Sequence, residues 1–296
     1  MKNVSRRQFL FYVLGAAGAV ALSRVAFNKT ALASPKEGMT GISTPGAFKP
    51  TTGNSLKNNH ADGQDTAPLE NFQPGIVIDV GACIGCRTCM YVCKAENNIP
   101  ESISPPWPQV FQMPDSVDLT GHPSQEELIK GSTTNYTSAP QPGFWYLGTQ
   151  CNHCKNAPCV KVCPTGATHK DKDGYVLMDY HKCIGCRFCI VACPYNARRF
   201  NWVKPQLNEK DINPLVPVRP IGVVEKCTFC VHRTREGKLP RCVEACPVGA
   251  RHFGNLLDPN SEASKVLKAE RSIRLLEELN TEPHISYITR GKKYTR

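Results

Sequence analysis

Sixteen cysteines fall along this 296-residue sequence in four groups of four, with none left over. The groups are Cys83, Cys86, Cys89, Cys93; Cys151, Cys154, Cys159, Cys163; Cys183, Cys186, Cys189, Cys193; and Cys227, Cys230, Cys242, Cys246. The third, CIGCRFCIVACP, sets proline after its last thiol, and CIGCRTCMYVCK at 83–94 nearly repeats it. Thiolates are soft ligands that suit iron–sulfur clusters, zinc and copper(I). Crowded three and four residues apart, these cysteines do not make a complete disulfide framework, because a bridge needs Cα atoms about 4.4–6.8 Å apart. Structural zinc prefers two separated C-x2-C knuckles, a spacing that only the fourth group approaches. Covalent haem would need C-x-x-C-H, which is absent.

The remaining reading is iron–sulfur. C-x2-C-x2-C-x3-C-P is the bacterial ferredoxin spacing, in which the fourth cysteine serves a different cluster from the first three. Three thiolates on one tight loop reach three corners of a cubane, and Gly85 and Gly185 let the backbone curl close. The third and fourth cysteines lie four apart, on one face of a helical turn. Proline then ends that turn, since it lacks the amide hydrogen and clashes with the turn before it. Groups must therefore work in pairs, and four groups predict four 4Fe–4S clusters held by all sixteen cysteines. Three departures stand out: Cys93 is followed by Lys94, the second group has a four-residue gap before Cys159, and the fourth opens to eleven residues (VHRTREGKLPR), room for a small hairpin. None removes a ligand, so His153 and His181 beside the thiols are read as structural.

The elements that would position these thiols repeat with them. A short apolar run precedes each group: GIVIDVGAC, GFWYLGTQC, GYVLMDYHKC and IGVVEKC. These read as strands of four to six residues. PTGAT, PYNAR and PVGAR follow groups two, three and four as variants of one turn, and THKDKDGYVLMDY reads as a hairpin with Asp173-Gly174 in its turn. The unit is strand, cysteine loop, helical turn, strand. Insertions at 94–150, with Trp107 inside, and at 201–220 interrupt it and read as docking surfaces. Residues 34–75 read as an irregular arm. The tail 256–296 reads as helical, with Ser261 as cap. The fold class is α+β, with residues 76–255 forming the cysteine-bearing domain.

SRRQFL at 5–10 matches the twin-arginine export pattern. The apolar run at 9–22 is 14 residues, too short to span a bilayer, and Ala31-Leu32-Ala33 offers a cleavage site. Residues 1–33 are read as an export signal and the protein as periplasmic, on the outer face of the cytoplasmic membrane. Twin-arginine export carries folded proteins with cofactors in place, which reconciles so many thiols with an oxidising destination. The formal charge of +11 includes five positive charges in those 33 residues. Four clusters at roughly −2 each would leave the remainder slightly negative. Arg87, Lys155, Lys161, Lys182, Arg187, Lys226 and Arg241, beside the cysteines, are the expected counter-charges. No basic stripe interleaved with aromatics is present, so a nucleic-acid partner is not expected.

The leader, the order of the four groups, CNHC-x4-CVKVCPTGAT, CIGCRFCIVACPYNAR, EKCTFC and PRCVEACPVGARHFGNLLDPNSE together resemble the four-cluster iron–sulfur (beta) subunits of the DMSO reductase superfamily. Within it the pattern is most similar to NrfC-like subunits, and to the DsrO-type subunit of DsrMKJOP membrane complexes. The resemblance implies a double ferredoxin-like fold with group one paired to four and two to three. It implies four ligand sets: Cys83, Cys86, Cys89 with Cys246; Cys227, Cys230, Cys242 with Cys93; Cys151, Cys154, Cys159 with Cys193; and Cys183, Cys186, Cys189 with Cys163. The implied role is electron relay in a membrane-bound complex, with an NrfD-like quinone-reactive membrane subunit and cytochrome c or iron–sulfur partners. The alternatives are the beta subunit of a molybdopterin reductase of polysulfide or tetrathionate type, and a structural cluster scaffold. No nucleophile–base pair, phosphate loop or dinucleotide fingerprint is present, so the chain is expected to be an electron-transfer subunit and not an enzyme on its own.

Overall fold

The computed structural model describes residues 72–103, 105–115 and 139–289. The expected leader, nearly all of the expected arm and the middle of the first insertion lie outside the described residues. β1 (Pro74–Asp79) enters the first cysteine group, which α1 (Thr88–Glu96) leaves. In the insertion β2 (Gln109–Pro114) turns back onto β3 (Phe144–Thr149), which enters the second group. α2 (Pro158–Lys161) and β4 (Thr168–Lys170) leave it, and β5 (Val176–Met178) enters the third. α3 (Phe188–Val191) and β6 (Arg198–Phe200) follow, then β7 (Val224–Lys226) into the fourth group. That group carries α4 (Val231–Thr234) and α5 (Arg241–Glu244) before β8 (Arg251–Asn255).

All four runs ahead of the cysteines are strands. Their pairing turns a linear repeat into a closed one. The exit strand of group two pairs with the entry strand of group three, β4 with β5, and β6 with β7 joins three to four. β8, leaving group four, pairs antiparallel with β1, entering group one. The repeat therefore closes on its own beginning, which brings groups one and four side by side.

Proline sets the helix lengths. α2, α3 and α5 span four residues each and stop ahead of Cys163-Pro164, Cys193-Pro194 and Cys246-Pro247. After Cys93 stands Lys94, whose amide can continue the ladder, and α1 runs nine residues to Glu96. The segment 231–241, expected as a hairpin, instead makes the single turn α4. Arg233 holds it there, with Nε donating to the Leu239 carbonyl at 3.0 Å and its guanidinium paired with Glu96 and Glu244.

The tail is less helical than its sequence suggests. α6 (Glu262–Ala269) starts at the expected cap, where Ser261 Oγ accepts from the Ser264 amide at 3.2 Å and donates to the Asn255 carbonyl at 2.6 Å. Beyond it lie β9 (Ser272–Ile273) and β10 (Ile285–Ile288). β10 pairs parallel with β1, Ile76 opposite Ile285, in a sheet ordered β8-β1-β10-β9. Every side chain of β10 is buried, so a strand able to join a central position outcompetes helix extension.

The two insertions differ from each other. Trp107 and Trp145 are 2% and 1% exposed and pack with Ile76, Ile78, Phe253 and Tyr287 in the main core. The two insertions hold each other through Asn98 and Asn213: the Asn98 side-chain oxygen accepts from the Asn213 amide at 2.8 Å, and its nitrogen donates to the Asn213 carbonyl at 2.9 Å. Behind this, Arg219 and Glu225 form an ion pair at 2.8 Å, 1% and 0% exposed, and Trp107 Nε1 donates to Glu225 at 2.8 Å. Among the described residues the first insertion is thus largely internal packing, whereas the second is mostly exposed, with Trp202, Val203, Leu215 and Val218 on its surface. No helix among them is long and apolar enough to cross a membrane.

Candidate iron–sulfur centres

All four cysteine loops share one backbone feature. The residue two after the first cysteine has positive φ in each: Gly85 at 69°, His153 at 43°, Gly185 at 69° and Phe229 at 54°. This turns the amides of the loop inward. A Cβ at Gly85 would stand 2.2 Å from the Tyr146 ring, and at Gly185 2.3 Å from the Gly222 carbonyl oxygen. Where the position is not glycine, its side chain offsets the strain. His153 and Phe229 stack on each other, centroids 3.8 Å apart and planes at 25°, both buried. His153 Nδ1 accepts from the Val176 amide at 3.1 Å, so Nε2 carries the proton and donates to the Cys227 carbonyl at 3.0 Å. Burial, with Lys226 nearby, holds this imidazole well below its ordinary pKa. His153 is a neutral strut between two loops, and His181 is exposed, its amide donating to Asp179 at 3.0 Å.

None of the sixteen cysteines is bridged. Cys83, Cys86, Cys89 and Cys246 line one cavity, and Cys163, Cys183, Cys186 and Cys189 line another. No carboxylate lines either. Cys93, well inside, has Cys230, Cys227 and Cys242 as its strongest electrostatic neighbours with Cys89 after them, and Cys154 has Cys151, Cys159 and Cys193. Among the described residues no three His, Cys, Asp or Glu side chains converge as they would on a single ion. In those two cavities the thiols instead surround a volume, as a polyatomic group requires.

Burial dominates their acidity. It pushes the thiols of Cys83, Cys89 and Cys242 up to about 11 and Cys154 to about 12, while Cys93 and Cys227 lie well above the usual thiol range. These sites favour neutral thiols until a metal displaces the proton. Cys163 goes the other way: the modest upward push of burial is outweighed by bonds from the Thr168 amide, at 3.4 Å, and from Thr165.

Donors aim at sulfur throughout. The amides of Phe229 and Ala250 reach Cys227 Sγ at 3.4 Å and Cys246 Sγ at 3.3 Å. Asn97 Nδ2 donates to two thiols at once, Cys93 Sγ at 3.5 Å and Cys230 Sγ at 3.6 Å. The Asn97 carbonyl in turn accepts from Arg219 Nη1 at 2.5 Å. All-sulfur donor sets, amides turned on sulfur and cations without carboxylates fit 4Fe–4S clusters, which carry net negative charge and whose potentials respond to such hydrogen bonds.

The cations nearest the thiols are only partly those expected. Lys155, Lys161 and Lys182 are exposed, Arg187 is exposed but lines the cavity of Cys163, Cys183, Cys186 and Cys189, and Arg241 is half-buried and paired with Glu244 at 2.6 Å. Lys226 is buried, but its ammonium bonds the carbonyls of Val176 and Cys227. Arg87 is buried over the Tyr146 ring, donates to the Gly85 carbonyl at 2.6 Å and lines the cavity of Cys83, Cys86, Cys89 and Cys246. Two further guanidiniums set among thiols are Arg251 and Arg198. Burial alone would lower each, yet both are held above their usual value, Arg251 by Cys89, Cys242, Cys246 and Cys83, and Arg198 by Cys159, Cys189 and Cys151. Their signal lay in the turn repeats PYNAR and PVGAR, which end in these two residues.

Comparison with known proteins agrees on the chemistry. Models of a 4Fe–4S dicluster domain match residues 143–212 and 182–250. The chain is similar to the Hdr-like menaquinol oxidoreductase iron–sulfur subunit 1 of Archaeoglobus fulgidus, 41% identical over 69% of this chain and 73% of that protein. It is 36% identical to one selenate reductase subunit from Mesobacillus selenatarsenatis, over 97% of this chain and 98% of that one. It is 32% identical to the protein NrfC of Escherichia coli, over 85% and 93%.

Proposed function

The chain belongs to the family of iron–sulfur subunits of DMSO-reductase-type and NrfC-like oxidoreductase complexes, and from that premise we propose that it is an electron relay of four 4Fe–4S clusters within such a complex. The observation that carries this reading is the cavity lined by Cys83, Cys86, Cys89 and Cys246, which joins the first cysteine group to the last. With the cavity of Cys163, Cys183, Cys186 and Cys189 and the neighbourhoods of Cys93 and Cys154, it supports four sets: Cys83/86/89/246, Cys227/230/242/93, Cys151/154/159/193 and Cys183/186/189/163. It supports a double ferredoxin-like fold in the same way.

The clusters supply one-electron chemistry when bound, and the chain does the rest. Its loops fix four thiols around each volume, its amides and Asn97 donate to sulfur, and its core keeps water out. Such donors and exclusion set potentials over about −700 to +450 mV in clusters of this kind. Ile184, Phe188 and Val191 protrude from the loop of Cys183, Cys186 and Cys189, 67%, 59% and 87% exposed. A partner that covered them would stand beside one end of the relay.

For that partner we favour an NrfD-like quinone-reactive membrane protein, followed by cytochrome c or a second iron–sulfur protein, on the periplasmic side. The menaquinol oxidoreductase named among the relatives supports a quinol-linked role, and SRRQFL supports export. A sulfur-metabolising complex rests on the DsrO-type resemblance. A second reading, the beta subunit of a molybdopterin reductase, is favoured by the end-to-end similarity to the selenate reductase relative. Mass spectrometry of gently solubilised membranes separates them. An NrfD-like protein with cytochrome c is the expected outcome; a large molybdopterin protein supports the second reading. A chain that purifies alone overturns the complex.

A further inference from the structure

Two buried arginines occupy the same place in two repeats. Arg198 ends C-P-Y-N-A-R at 193–198 and Arg251 ends C-P-V-G-A-R at 246–251, each opening the strand that leaves its cysteine group. They are 3% and 6% exposed. Neither has an ion pair with Asp or Glu among the described residues, whereas the comparably buried Arg219 has Glu225 at 2.8 Å. A guanidinium in low dielectric without a counter-ion is costly, so a different anion must serve each.

Their surroundings say which. Arg251 Nη1 donates to Gln150 Oε1 at 2.7 Å and points at Cys242 Sγ, 3.9 Å away. The same side chain lines the cavity of Cys83, Cys86, Cys89 and Cys246. It therefore stands between two of the proposed ligand sets. Arg198 Nη1 donates to Thr168 Oγ1 and meets Met178 Sδ, both at 3.2 Å, and those two residues line the cavity of Cys163, Cys183, Cys186 and Cys189. Its Nη2 is buried without a hydrogen-bond partner among the described residues. Cys159 and Cys151 of one set and Cys189 of the other act on its charge. It stands between the remaining two sets.

We propose that Arg198 and Arg251 are positioning charges, one in each half of the relay, each shared by two adjacent clusters and raising the reduction potentials of both. Adding an electron makes a cluster more negative, so a fixed cation between two clusters favours reduction of each. It also lowers the repulsion that one reduced cluster exerts on the next. The inference rests on the four-cluster reading and deepens it.

The test is a redox titration followed by electron paramagnetic resonance on the full protein with its clusters, after iron and sulfide analysis. A wild-type protein without four clusters overturns the underlying reading and not this one specifically. Given four clusters, Arg251→Gln lowers two of the four potentials by at least a tenfold change in the reduction equilibrium, 59 mV for a one-electron couple. These are the two clusters disturbed individually by Cys246→Ser and Cys93→Ser. Arg198→Gln lowers the other two. Arg→Lys at either position keeps the charge without the planar fork and restores most of the shift. A shift in one cluster or in all four, or equal effects of Gln and Lys, overturns the proposal. Loss of iron in the Gln variant alone supports a charge role, and equal loss in Gln and Lys variants overturns it.

Discussion

Removing Arg219 tests the internal frame on which one cysteine set depends. Arg219→Met strips Glu225 of its counter-ion while both positions stay 1% and 0% exposed in the native packing. Breaking a buried pair by removing one partner costs about 3–5 kcal/mol, because a charge is left uncompensated. The carbonyls of Asn97 and Asn98 lose donors at 2.5 and 2.8 Å as well, at about 1 kcal/mol each. Unfolding of a cluster protein is irreversible, so the readout is the rate at which the visible absorbance bleaches in a fixed concentration of guanidinium. If the pair is broken in the unfolding transition state, 3–5 kcal/mol corresponds to a rate increase of roughly a hundred- to a thousand-fold or more. Adding Glu225→Gln removes the stranded charge while keeping an acceptor for Trp107, and brings the rate back to within about tenfold of wild type. The cluster facing Asn97 bleaches first. A single variant within about threefold of wild type would refute the reasoning, as would rates that simply multiply in the double variant, since independent effects mean that the charges do not compensate one another.

Gly185→Ala places a Cβ 2.3 Å from a backbone oxygen in a loop with φ of 69°; iron analysis should show loss of the one cluster held by Cys183, Cys186 and Cys189, with three retained. Cys246→Ser and Cys93→Ser should each remove or convert one cluster, about a quarter of the iron, and spectroscopy should find two different clusters affected; the same cluster in both would break the proposed sets. Burial, with Lys170 nearby, pushes His284 down to about 4. The unfolded chain binds that proton near pH 6.5 and the native chain does not, so stability is full above about 6.5 and falls as pH drops towards 4, by about 3 kcal/mol in all. Melting temperatures from pH 7 to 4.5 should fall less steeply in His284→Gln than in wild type; parallel curves would show that His284 is not the titrating group.

Strands were legible where they were tied to the cysteines. GIVIDV, FWYLGT, YVLM and the Val-Val of IGVVEK are apolar or β-branched runs close to glycine, and each forms or enters a strand. What escaped is what depends on distant partners. ISYI carries β-favouring Ile and Tyr, but nothing local names its partner; β1 offers it a parallel edge in a buried layer. Trp107 looked like surface because its neighbours are prolines, yet it lies inside because Glu225, far along the chain, accepts its indole proton. The cysteines announced their chemistry, but only Arg87 and Arg187 among the cations beside the thiols followed sequence adjacency into the cysteine cavities. Lys155 and Lys182 neighbour thiols and point to solvent, paired with Glu282 and Asp179. Arg198 and Arg251 arrive from the far end of a turn. A side chain's sequence neighbour and its spatial neighbour differ most where the chain doubles back, as it does after every group.

The place of β1 between β8 and β10 has a consequence for biosynthesis. β1 is among the first described elements to be made and β10 the last, so the first strand emerges with both edges bare and keeps them so while the rest of the domain is translated. At about 5–20 residues per second, that wait is on the order of ten seconds or longer. Through it, a run of buried-type residues, Ile76 to Ile78, offers unpaired backbone to any other nascent chain. Cys83, Cys86 and Cys89 wait nearly as long for Cys246, which lines the same cavity. β1 therefore cannot be finished until β10 exists, and anything that stalls synthesis before Cys246 leaves a sticky strand and three uncommitted thiols together.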